Sequence, residues 1–122
     1  MKTKITLLIL FLSLTFVNAQ HYPPVSDSSQ KIEEQSKDIV DAYDRELAMT
    51  AKQRALFQLK VEDYLMLRKK IESNYDGREE LDALVEMQAQ ETLDMNDILT
   101  RIQMQLYKKI KPTIQPLKEV EN

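Results

Sequence analysis

Few side chains in this chain are equipped for chemistry. The one histidine, His21, sits beside Tyr22-Pro23-Pro24 in a Pro- and Ser-rich stretch, where a catalytic base would lack a rigid setting. Seven carboxylates, Glu79, Glu80, Asp82, Glu86, Glu91, Asp94 and Asp97, crowd one segment. Carboxylates suit a hard cation, but at helical spacing such a run reads as a solvated face, so no metal site is expected. Met49, Met66, Met87, Met95 and Met104 carry thioethers able to bind Cu(I). None forms a Met-x-Met pair, which points first to core filling and second to an adaptable binding surface. Zero Cys and a single Gly exclude a disulfide scaffold, a thiolate metal centre and a glycine-rich phosphate loop. No G-x-S-x-G, H-E-x-x-H or P-loop pattern occurs. No catalytic residue and no cofactor is expected, and the chain does not read as an enzyme.

The first 19 residues read as an address. Met1-Lys-Thr-Lys4 is a short positive region, and Ile5 to Val17 is an almost unbroken apolar stretch. That stretch is too short for a comfortable membrane span. Val17-Asn18-Ala19 then presents small or aliphatic residues at the −3 and −1 positions of a cut before Gln20. This is the pattern of a cleavable secretory signal peptide, and it predicts a periplasmic protein, with secretion as the alternative. Removing it takes Lys2 and Lys4 from the 17 basic residues, leaving 15 against 20 acidic ones. The mature chain is mildly acidic, so no nucleic-acid partner is expected.

The remainder is short and helix-favouring in composition. Residues 20–30 read as a flexible arm, 31–111 as one helical domain and 112–122 as an irregular tail. The fold class is all-α, with four helices over about 29–47, 51–73, 77–98 and 101–110. Three starts carry capping signals. In Met49-Thr50-Ala51-Lys52-Gln53 and again in Leu99-Thr100-Arg101-Ile102-Gln103, the threonine oxygen can accept from the N3 amide while the glutamine reaches back. Leu99 and Met104 are placed for a hydrophobic staple, whereas the first motif has Arg54 at the equivalent position. Asp76 and Glu79 suggest a third box after a turn holding Gly77. Pro112 predicts the end of the fourth helix by disfavouring helical geometry at Lys111.

The second helix carries more apolar surface than one core requires. Ala55, Leu56, Phe57, Leu59, Val61, Tyr64, Leu65, Met66, Leu67 and Ile71 cover an arc of roughly 280°, against the ~100° or more of an ordinary surface helix. A central position, a dimer interface or an open surface for apolar partners each accounts for the surplus. Basic residues gather in Arg68-Lys69-Lys70 and in Lys108, Lys109 and Lys111, near helix C-termini. The macrodipole favours cations there, and an apolar and basic surface would also steer acidic, partly unfolded chains.

The signal peptide, the short helical body and the paired Leu/Met-Thr-x-x-Gln motifs together resemble the LTxxQ-motif family of periplasmic proteins, the Spy/CpxP-like proteins. The second motif, Leu99 to Gln103, matches in full, and the first, Met49 to Gln53, has Met for Leu. The resemblance covers most of residues 30–112. It implies a four-helix hairpin-like fold with two long central helices, pairing into a thin, curved antiparallel homodimer. It also implies ATP-independent binding of unfolded or partly folded envelope proteins, or repression of an envelope-stress sensor kinase. Met49, Thr50, Gln53, Leu99, Thr100 and Gln103 would then be structural. Phe57, Val61, Tyr64, Leu65, Arg68 and Lys69 are the expected client or partner surface. The alternatives are an adaptor for one folded partner, such as a sensor-kinase ectodomain, and a purely structural helical protein.

Overall fold

The computed structural model describes residues 27–117. They form four helices: α1 (Asp27–Leu47), α2 (Ala51–Asn74), α3 (Gly77–Met95) and α4 (Arg101–Ile114). Among the described residues there is no strand. The signal peptide, His21 and most of the expected arm lie outside the described residues. Helix α1 begins at Asp27, so its first turn occupies positions expected to belong to the arm.

Close packing joins α1 to α2, α2 to α3 and α1 to α4. The main core lies where α1, α2 and α4 converge. It contains Val40, Tyr43 and Leu47 of α1, Phe57, Val61 and Leu65 of α2, and Met95, Leu99, Met104 and Tyr107. Three rings form its centre, with Tyr43 centroids 5.1 Å from Phe57 and 5.2 Å from Tyr107, and Phe57 edge-on to Tyr107 at 5.9 Å. Such offset and edge-to-face pairs add to the apolar burial of each ring. A smaller cluster of Ile71, Leu84 and Met87 ties the far half of α2 to α3. Helix α2 therefore has neighbours on two sides, which accounts for part of its wide apolar arc.

One cap and the ends of α3 and α4 depart from the sequence reading. The Asp76 box is absent, because that N-cap makes no side-chain hydrogen bond. The turn is instead made by Gly77 at φ +60°, a backbone region open to glycine without penalty. Helix α3 ends at Met95 and not at Ile98. Residues 96–98 tighten into a turn in which Asn96, Asp97 and Ile98 each donate to the carbonyl three residues earlier, the 3₁₀ pattern common at helix ends.

Helix α4 passes through Pro112 and continues to Ile114, so the irregular tail begins later than position 112. Proline sacrifices one backbone bond, but tertiary contacts hold the last turn. Ile110 and Ile114 pack on the core. The Tyr43 hydroxyl donates to Gln115 Oε1 at 2.6 Å, and Gln88 Nε2 donates to the Gln115 carbonyl at 3.0 Å.

Candidate functional site

The two Thr-x-x-Gln boxes both form, and they interlock. Thr50 accepts from the Gln53 amide at 3.1 Å while Gln53 Oε1 accepts from the Thr50 amide at 3.0 Å. Thr100 and Gln103 repeat this at 3.2 and 2.9 Å. Each backbone N–H can only donate, so each glutamine must present its oxygen inward and its NH₂ outward. The two outward amides meet: Gln53 Nε2 donates to Gln103 Oε1 at 2.8 Å, and Gln103 Nε2 donates to Gln53 Oε1 at 3.2 Å. The remaining donors cross over. Gln53 reaches the Ile98 carbonyl just before the second motif, and Gln103 reaches the Leu47 carbonyl just before the first. Every donor and acceptor of both amides is thereby engaged.

The flanking residues complete this junction. Leu99 and Met104 are buried in the main core, and Met49 packs against it. Arg54, which replaces the staple residue of the first motif, pairs instead with Asp41 and with Asp44 at 2.8 Å. Those two carboxylates raise the Arg54 guanidinium above its ordinary value. Asp44 also accepts from the Met49 amide at 2.7 Å. The two glutamine amides thus spend their hydrogen-bonding capacity on the backbone and on each other.

The six residues expected to form a client surface do not share an open face. Phe57 and Val61 are fully buried and Leu65 nearly so. Tyr64 is half-buried and donates to Asp94 at 2.5 Å. Arg68 pairs with Glu72 at 2.9 Å and borders a cleft with Gln35, Ile39 and Ile114. Lys69 is exposed. The reason is geometric: α1 and α4 claim the side of α2 that carries Phe57, Val61 and Leu65. What α2 leaves open is the opposite side, with Leu56, Leu59, Met66 and Leu67, within roughly 100° of the helix circumference. Leu59 is 59% exposed, and Leu93 of α3 is 60% exposed. Between α2 and α3 runs a groove of about 450 Å³, lined by Tyr64, Leu67, Ile71, Tyr75, Ala83 and Met87, with Lys70 and Glu86.

A buried charged cluster lies between α3 and α4, where the sequence suggested only solvated charges. Lys111 and Glu91 pair at 2.9 Å with 7% and 2% of their side chains exposed. The Lys111 ammonium also donates to the Gln88 carbonyl at 3.2 Å, Thr92 Oγ1 at 2.9 Å and the Tyr107 hydroxyl at 3.0 Å. Among the described residues, Glu91 Oε2 is the buried side-chain oxygen without a hydrogen-bond partner. Burial, reinforced by the Glu91 charge, pushes the Tyr107 phenol well above its ordinary value. Burial does the same for Tyr43, with Tyr107 and Glu91 adding to it. For Tyr64, burial and the bond to Asp94 act together. Asp94 is held below the usual carboxylate range, chiefly by that Tyr64 bond, against the opposing effect of burial.

No group of three or more His, Cys, Asp or Glu side chains able to hold a metal ion occurs among the described residues. None of the described helices is long and apolar enough to cross a membrane. Comparison with protein-family models, with curated proteins and with solved structures yields no significant match.

Proposed function

We propose that this chain is a periplasmic, ATP-independent, chaperone-like envelope-stress protein of the LTxxQ type, binding partly unfolded polypeptides on the open side of α2 and α3. The observation that carries this reading is the uncovered apolar strip of Leu56, Leu59, Met66 and Leu67, continued by the groove beneath Tyr64 and Tyr75. A strip with that many large apolar side chains calls for a partner. Lys70 and Glu86 at its border and the adaptable, exposed Met66 suit weak contacts with varied segments. The paired motifs and the leader sequence support the same reading through the resemblance they carry. In this proposal the α2–α3 pair is the long hairpin of an antiparallel homodimer, and the protein has no catalytic role.

The surface is tested by Leu59→Ser combined with Leu67→Ser and Leu93→Ser. All three positions are exposed, so the variant keeps its helical circular dichroism and loses suppression of client aggregation. Unchanged suppression by the folded variant would remove the strip from the proposal. A saturable complex with one folded envelope ectodomain, without protection of clients, would favour the regulatory adaptor instead.

A further inference from the structure

The four seams of this fold are built differently. Apolar side chains fill the contacts of α1 with α2 and with α4, and of α2 with α3. Helices α3 and α4 are not close backbone neighbours; apart from Met95 at the end of α3, which joins the main core, their seam is bridged by the Lys111 cluster and by the bond from Gln88 to the Gln115 carbonyl. Three further features weaken it. Glu91 Oε2 is buried without a partner. Beside Glu91 lies a cavity of about 10 Å³ bordered by Leu65, Arg68, Gln88 and Gln115, close to the smallest space that admits one water. Pro112 deletes a backbone bond from the last turn of α4. The opposite end of α4 is pinned by the Gln53–Gln103 lock.

We propose that the α3–α4 seam is a gate, latched by Lys111 on Glu91, Thr92 and the Gln88 carbonyl, that opens while the rest of the fold stays intact. Its polar groups can exchange their partners for water, so parting it gives up less apolar contact than parting the other seams. Opening uncovers Leu65, which lines the small cavity beside Glu91 and Gln115. The gate thus offers a second, concealed apolar surface to a client segment. That use rests on the chaperone reading above, while the opening itself does not.

The chain has no cysteine, so Leu65→Cys supplies the only thiol of purified residues 20–122. The expected result is maleimide labelling at least roughly tenfold faster than global unfolding in the same buffer. Adding Glu91→Leu with Lys111→Met replaces the latch by apolar contact, an exchange often neutral or stabilising, and should slow labelling relative to global unfolding by about tenfold or more. Exchange of the Lys111 ammonium protons with water, followed by NMR in the unsubstituted chain, gives the same reading should Leu65→Cys fail to fold. Labelling and exchange that track global unfolding would overturn the gate. Gated labelling together with full client protection by the Glu91→Leu/Lys111→Met protein would overturn its use for clients. If the unsubstituted chain protects no client, the chaperone reading fails, and the labelling ratio still decides the gate.

Discussion

Replacing Gln103 by Glu separates a capping box from a lock between two boxes. A box by itself accepts Glu at N3 as readily as Gln, since only an acceptor is needed. Here the NH₂ of Gln103 also donates to the Leu47 carbonyl and to Gln53 Oε1, both at 3.2 Å. Gln103→Glu removes both donors and sets a carboxylate oxygen against two acceptors. At about 0.5–1.5 kcal/mol per hydrogen bond, the loss is about 1–3 kcal/mol. Urea unfolding followed by circular dichroism measures it. Gln53→Glu should behave alike, because its NH₂ serves the Ile98 carbonyl and Gln103. Alanine at each position completes the test. Both single alanine variants delete the same two inter-glutamine bonds, so the double variant should fall short of the sum by about 1–3 kcal/mol. Stability of Gln103→Glu within about 0.3 kcal/mol of the parent, with additive alanine effects, would refute the lock.

Other consequences follow from single positions. Ala48 closes α1 at φ 50°, so Ala48→Gly should raise stability by about 0.5–1 kcal/mol in the same urea assay. Gly77→Ala should lower it by about 1–2 kcal/mol, because a Cβ there meets nothing within 4 Å and only the φ of +60° opposes it. Lys111→Met alone strands the Glu91 carboxylate and should destabilise by about 3–5 kcal/mol, with Glu91→Leu added in the same chain restoring most of the loss. Asp94 binds its proton less readily folded than unfolded, so its contribution is full above its ordinary pKa of 3.8 and is lost as pH falls through the lower folded value. Tyr64→Phe should flatten that acid limb in denaturation midpoints measured between pH 2 and 6. At the alkaline end, Tyr43, Tyr64 and Tyr107 stay protonated above their ordinary value of 10.0. Stability should therefore be intact below pH 10 and fall above it, with their absorbance change at 295 nm appearing only on unfolding.

What the sequence made legible is what local chemistry decides. Apolar spacing located the four helices, and the Thr-x-x-Gln pairs marked two of their starts, because a capping box is closed within four residues. The meeting of Gln53 with Gln103 was not legible, since it depends on how α2 and α4 are brought together across 50 positions. The side of α2 that is buried was equally hidden. With apolar residues around most of the helix, its own pattern cannot choose between Phe57, Val61 and Leu65 on one side and Leu56, Leu59 and Met66 on the other. The neighbours choose, and they choose the side that sequence reading had assigned to clients. Glu91 and Lys111 looked like ordinary members of charged runs; only their pairing across α3 and α4 takes both out of water. At Pro112, core contacts of Ile110 and Ile114 override a local preference that pointed to a helix end.

The most direct test of the functional account is light scattering of a chemically denatured model protein, diluted with and without purified residues 20–122 and without ATP. The account predicts suppressed aggregation at near-stoichiometric ratios. Undiminished aggregation, from a sample whose circular dichroism is helical, would contradict it and leave the apolar side of α2 and α3 to a second copy or one folded partner.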